Sequence, residues 1–340
     1  MASNLPSKYK YPSKFIRLLP QNNKVVDHLL KLRENKAYRT EQQLTIVQGL
    51  KAIQALRNAN MPLRSVGITA PLEPHNEEAI LHPALTVLRD PDLLPAEKYY
   101  LTDINLTRKL LGTAARPSNH EIWAEIPYPR LSFPSNTDRL LVLDQVNDAN
   151  NFGSIVRTAR ALGWNAGWRL PGTIDLFNDQ TVRTSRGLSL FWPALNGNWE
   201  ALESYLEDHD FTPIIADMVP KRWPGGLSTE VGRGETPNGL RLWNFGERKM
   251  ELPKKIALVI NSEHYPKFTS RIPEDYLRVA VPMTEGVESL GVTSVGVLLM
   301  AEFNRVMANR GKDLFEVKAV TGAVNINAKR TGEAHHGDWD

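Results

Sequence analysis

RLLVLDQVNDANNFGSIVRTARALG, residues 139–163, decides the fold. It opens with RLLVLD, a continuous apolar run of the kind buried on both faces of a parallel sheet. A polar turn follows, and Gly153 leads into a helix over SIVRTARALG that carries Arg157 and Arg160. Asn151 and Arg157 are six residues apart, which puts the Asn at the helix start and the Arg about two turns further on. Helix starts present free backbone N–H groups that favour anions such as phosphate. An N-cap Asn followed by a surface Arg would look the same. Open α/β sheets place ligands just beyond the carboxyl ends of their strands, so this turn is a candidate site.

Working outward toward the C-terminus, strand and helix signals keep alternating. TSRGLSLFWPAL is followed by a helix over NWEALESYLEDH and strands over TPIIAD, KKIALVIN and YLRVAVPM. The long apolar helix TSVGVLLMAEFNRVM closes the pattern. Such alternation predicts a parallel sheet covered on both faces, over 139–325. Two further strand ends stand out. LVINSEHYPKF (258–268) leads from an apolar strand into a polar loop with Glu263 and His264. VAVPMTEGVESLGVTSVGVLLMAEF (279–303) leads through Gly286, Glu288, Ser289 and Gly291 into a helix rich in small residues. Small residues permit close approach to a flat ligand or another chain segment. The stretch 220–253 interrupts the alternation with Gly and basic residues around Trp223 and Trp243, and reads as a loop insertion whose aromatics could stack on bases.

Working outward toward the N-terminus, residues 24–115 predict a separate small α/β domain. KVVDHLLKLRENKAYR reads as one amphipathic helix, LTIVQG as a strand closed by Gly49, and LKAIQALRNAN as a helix. ALTVLRD reads as a strand and TDINLTRKLLG as a helix ending at Gly112. Residues 116–138, with Pro117, Pro127, Pro129 and Pro134, read as an interdomain linker. The first 26 residues hold no Asp or Glu, and 1–23 reads either as a basic targeting segment or as a disordered basic arm. Residues 326–340 read as a disordered tail.

Composition excludes several classes. The chain has 340 residues, no Cys and a net charge of +3, so disulfides, thiolate zinc sites and Cys nucleophiles are ruled out. No apolar run approaches the ~18 residues of a membrane span, the eight His show no metal-ligand spacing, and neither a phosphate-loop motif nor a G-x-G-x-x-G is present. No metal and no membrane partner are expected.

In order and spacing these segments resemble the SpoU/TrmH family of RNA 2′-O-methyltransferases, within the SPOUT superfamily. Asp148-Ala149-Asn150-Asn151-Phe152-Gly153, then Arg157-Thr158-Ala159 and Gly163, resemble its first motif. TVRTSRGLSLFWP, through Ser185, Gly187 and Pro193, resembles the segment after it; IALVINSEH resembles the second motif and VPMTEGVESLGVTSVGVLL the third. The resemblance implies an α/β protein: a C-terminal SPOUT domain with a trefoil knot, preceded by an L30e-like RNA-binding domain. It implies a homodimer through the knotted domain and S-adenosyl-L-methionine as cofactor. The implied catalytic residues are Asn151, Arg157, Glu263 and Ser289. Ile260, Asn261, Ser262, Val281, Met283, Gly286, Ser289 and Leu290 would hold the cofactor. Arg39, Arg157 and Arg160 would contact RNA, with ribosomal RNA favoured over transfer RNA, in mitochondria or cytoplasm. The sequence departs from the pattern at Asn261 and Pro266, where the family carries Gly, and at Gly291, where it carries Asn. These departures support a second reading, a catalytically degenerate relative acting as a ribosome assembly or structural factor.

Overall fold

The structure, a computed structural model, describes residues 11–19, 23–70, 83–112, 121–217, 240–242, 252–262, 276–281, 283–284, 287 and 289–308. The described residues fall into two units, the first reaching Pro129 and including Phe177–Asp179, the second made of Arg130–Leu176 and the residues from Gln180 onward.

The first unit is a five-stranded mixed sheet with helices. Its elements are β1 (Phe15–Arg17), α1 (Lys24–Glu34), α2 (Lys36–Gln42), β2 (Leu44–Gln48), α3 (Leu50–Asn58), β3 (Leu63–Thr69), α4 (Pro83–Arg89), β4 (Ala96–Thr102), α5 (Ile104–Leu111) and β5 (Ile122–Pro127), with strand order β1-β4-β3-β5-β2. The single helix expected over 24–39 is two helices. Asn35 adopts an extended conformation, ends α1, and accepts from the backbone N–H of Tyr38 to cap α2. The strand expected over 84–90 is helix α4: Pro83 starts it, and Ala84, Val87 and Leu88 bury at a helical spacing that so short a run does not reveal.

Two boundaries are corrected. Residues 116–138 are not a linker, because β5 runs through them, antiparallel to both β3 and β2 and buried except at its last residue. A strand buried on both faces shows no alternation, and its Pro127 stands at the strand end, where Pro is tolerated. Nor is 1–23 wholly an arm: β1 pairs in parallel with β4, and Phe15 packs on Tyr99. Residues 1–10 and 326–340 lie outside the described residues.

The second unit is built on a seven-stranded, wholly parallel sheet. In chain order it comprises β6 (Arg139–Asp144), α6 (Ala149–Ala161), β7 (Gly167–Arg169), α7 (Asp179–Thr184), β8 (Ala194–Asn196), α8 (Trp199–Asp208), β9 (Thr212–Ala216), β10 (Leu240–Leu242), β11 (Ile256–Asn261), β12 (Leu277–Ala280) and α9 (Val292–Ala308), with strand order β10-β12-β9-β11-β6-β7-β8. Of the expected 220–253 insertion, β10 is an edge strand paired with β12, while Trp223 and Trp243 lie outside the described residues.

The two central strands explain the arrangement. On one face, Leu140 and Val142 of β6 and Ala257 and Val259 of β11 share a core with Leu202 and Leu206 of α8. The opposite face buries Leu141, Leu143, Leu258 and Ile260. A Cβ at Gly296 would stand 2.8 Å from the Ile260 side chain, so α9 lies close on that face. Burying a Leu or Ile is worth about 1.5–3 kcal/mol, so this double-sided sheet fixes where every strand ends.

Candidate functional site at the carboxyl edge of the second sheet

α6 starts earlier than the sequence suggests. Asp148 is its N-cap, and its carboxylate accepts from the Asn151 backbone N–H at 2.8 Å. Asn151 is therefore the third helical residue, and its side chain is released from capping. Gly153 lies inside the helix, and its missing Cβ is structural: a Cβ there would stand 2.8 Å from Thr184 Cβ and 3.0 Å from the Thr181 carbonyl oxygen.

Beyond the strand ends lies a cavity of about 170 Å³ lined by Val146, Asn147, Asp148, Asn151, Ser262, Gly291 and Val292. Three sequence segments, around 146–151, 262 and 291–292, thus meet at one place. The Thr293 hydroxyl, at the start of α9, donates to Asn151 Oδ1 at 3.3 Å. The neighbouring Asn150 turns the other way, its Oδ1 accepting from Gln180 and Thr184. A Cβ at Gly291 would meet nothing within 4 Å, so this wall of the cavity has room for a side chain.

Asp144 and Asn261 end β6 and β11 in register. Asp144 is 8% exposed, and burial pushes its carboxyl up to about 6, against a smaller opposing effect of a hydrogen bond from the Gln145 side chain. Gln145 holds a left-handed backbone (φ 52°), uncommon for a residue with a side chain. The Asn261 Oδ1 is buried and has no hydrogen-bond partner among the described residues.

Among the other residues expected at the site, Ser262 lines the cavity and its N–H donates to the Asp144 carbonyl at 3.2 Å. Ile260 and Val281 are core residues, so any ligand contact from Ile260, whose side chain faces Gly296, would come from its backbone. Met283 and Leu290 are half-buried and Ser289 is exposed, just before Gly291. Glu263 and Gly286 lie outside the described residues. Arg157 is exposed on α6. Two expected RNA contacts are corrected. Arg39 is buried and donates to the Leu32 and Arg33 carbonyl oxygens, tying α2 to the end of α1. Arg160 is half-buried and donates to Asn165 at 2.6 Å, and burial lowers its pKa. Sequence reasoning missed Asp148 as the cap and Thr293 as the partner of Asn151; an Asp three residues before the Asn was the available signal.

The comparisons with known proteins bear on this edge. Residues 138–300 match the SpoU rRNA Methylase family. The second unit carries a SpoU family segment. Its SpoU segment runs from just before β6 into α9 and so contains the whole cavity. Human mitochondrial rRNA methyltransferase 3 is 22% identical over 242 residues, covering 63% of this chain and 56% of that protein. The Bacillus subtilis 23S rRNA (guanosine(2553)-2′-O)-methyltransferase RlmP is 27% identical over 164 residues, covering 48% of this chain and 56% of that one. The chain thus spans about half the length of these curated relatives. The AdoMet complex of the SpoU methyltransferase AviRb from Streptomyces viridochromogenes shares the fold, with a TM-score of 0.63 at 18% identity over 84% of this chain and 98% of that one.

Proposed function

We propose that this chain is an S-adenosylmethionine-dependent RNA ribose 2′-O-methyltransferase acting on ribosomal RNA. The observation that carries the reading is the convergence of Asn151, Ser262 and Gly291, one from each motif segment, on one cavity at the carboxyl edge of a parallel sheet. The names of the relatives, both rRNA methyltransferases, point the same way.

The residues at this edge fit the cofactor. Among the described residues, Asn261 Oδ1 is a buried acceptor lacking a donor, and a Cβ at Gly291 would meet nothing within 4 Å. Asn261, Ser262 and the backbone of Ile260, with Val281, Met283, Gly286, Ser289 and Leu290, would hold it. When bound, S-adenosylmethionine supplies a methyl group already activated by its sulfonium. What remains for the protein is alignment and charge control. With Oδ1 engaged by Thr293, the Asn151 amide keeps its N–H groups for an acceptor oxygen of the substrate. Arg157, exposed on α6, orients the ribose and stabilises negative charge developing on its oxygen. Glu263 and Ser289 complete the set by resemblance.

The same reading includes a trefoil knot, an L30e-like RNA-binding role for the first unit, and a homodimer. The exposed Leu298 on α9, in a row with Ser294 and Ala301, supports a partner chain there. A mitochondrial location rests on the mitochondrial relative. The open wall at Gly291 favours a second reading, a non-catalytic RNA-binding relative.

The test is transfer of radiolabelled methyl to unmethylated ribosomal RNA, with the product read as alkali-resistant dinucleotide. Labelled 2′-O-methyl product supports the enzyme. RNA binding without transfer supports the second reading.

A further inference from the structure

Three arginines of the second unit have no partner that the fold supplies. Arg157 on α6, Arg183 in the last turn of α7 and Arg186 just after it are all exposed. Among the described residues, none of the three side chains makes a hydrogen bond or ion pair.

Their placement follows from how α6 meets α7. Asn150, Gly153 and Arg157 recur at helical spacing and form one stripe of α6. That stripe faces α7: Asn150 accepts from Gln180 and Thr184, and a Cβ at Gly153 would stand 3.1 Å from the Ser185 backbone nitrogen. Arg183 and Arg186 flank the Thr184–Ser185 contact point, and Arg157 stands one turn beyond it on α6. Asn151, next to the stripe, lines the cavity.

A second observation is independent of charge. Arg186 has φ 54° and is followed by Gly187 at φ 81°. Its N–H and that of Gly187 close the end of α7 on the Arg183 and Val182 carbonyls. A left-handed residue just past a helix end is the position where Gly costs least, so the turn fixes the backbone at 186 but not the choice of an Arg there. A cation near a helix C-terminus complements the helix dipole, which would account for Arg183 alone. It accounts neither for Arg157 nor for the strained Arg186.

We propose that Arg183 and Arg186 form a phosphate-binding rim that grips the RNA backbone beside Arg157 and the cavity. Arginine suits this task because its fork of donors matches phosphate geometry. The rim rests on the RNA reading given above, and the experiment separates the two.

The full-length chain is titrated with a fluorescein-labelled ribosomal stem–loop RNA over a series of salt concentrations. R183A/R186A should bind on the order of tenfold more weakly at ~0.1 M salt, with the slope of log affinity against log salt reduced by about 1–2. Thermal midpoint and S-adenosylmethionine binding should not change. R183K/R186K should keep most of the slope. R186G gives the sharpest sign: it removes the left-handed strain, so the midpoint should hold or rise while RNA affinity falls. Wild-type affinity and slope in both R183A/R186A and R186G would overturn the rim and leave the RNA reading standing. A wild-type chain that binds no RNA would overturn both.

Discussion

Two buried carboxylates, one in each unit, are treated in opposite ways. Glu125 on β5 is 5% exposed, yet it is held by His28 Nε2 at 2.9 Å and Ser65 Oγ at 2.9 Å, with Arg64 at 3.8 Å. Burial alone would raise its pKa, but the hydrogen bonds from His28 and Ser65 and the charges of His28 and Arg64 outweigh it, and the net shift is downward. The other ring nitrogen of His28, Nδ1, lies 2.8 Å from the Tyr38 hydroxyl. Asp144, as deeply buried at the end of β6, is opposed among the described residues by the Gln145 side chain alone, and burial raises its pKa to about 6. The first unit satisfies its buried charge and thereby stiffens its sheet. The second leaves polar groups underprovided at its strand ends, including Asp144 and Asn261, where a ligand is expected.

The largest expected effect breaks the satisfied side. Glu125→Ala strands the donors of His28 and Ser65, and a loss of about 3–5 kcal/mol is expected in urea unfolding at pH 7; a loss under about 1 kcal/mol would mean the cluster is not a structural anchor. Next comes the unsatisfied side, with the opposite sign. The folded state of Asp144 holds its proton up to about pH 6, whereas the unfolded carboxyl releases it near its ordinary value of 3.8. Stability should therefore fall as pH rises from about 4 through 6, and the penalty should be complete above that. Asp144→Asn should stabilise the chain by on the order of 2 kcal/mol at pH 8 and by nothing at pH 3. Glu125, with a lowered folded pKa, contributes stability that is present at neutral pH and lost on acidification, so the two residues pull the pH profile in opposite directions.

A smaller effect separates structure from recognition among the arginines. Arg39→Ala should lose about 1–2 kcal/mol of stability through the orphaned Leu32 and Arg33 carbonyls, with RNA affinity at 25 °C unchanged; a selective loss of RNA binding would restore Arg39 as a contact. The smallest concerns Thr293. Thr293→Val removes one hydrogen bond to Asn151 and should slow methyl transfer by about three- to tenfold, while Thr293→Ser keeps the rate. Equal rates in both variants would show that Asn151 is oriented by something else.

Much of the second unit was legible because double-sided burial writes long apolar runs: RLLVLD, IALVIN and the α9 segment could hardly be anything but central strands and a buried helix. The first unit was less so. β5 and β1 are specified by neighbours distant in sequence, Glu125 included, and α4 is too short for its period to outweigh its Val and Leu content. At the site, the motif residues Asn151, Ser262 and Gly291 were legible by resemblance. Thr293 was not, because its role depends on where the start of α9 meets α6. Arg39 misled for a related reason: its charge reads as surface, while its burial comes from the break at Asn35 that only the folded backbone reveals.

The most direct measurement is calorimetric titration of the folded, full-length chain with S-adenosylmethionine, beside an Asn261→Asp variant that replaces the unpartnered acceptor. Saturable one-site binding in the micromolar range, altered by Asn261→Asp, is the result expected if the carboxyl edge of the second sheet is a cofactor site. Absence of heat and of thermal stabilisation at millimolar cofactor, in a sample that still binds ribosomal RNA, would contradict it.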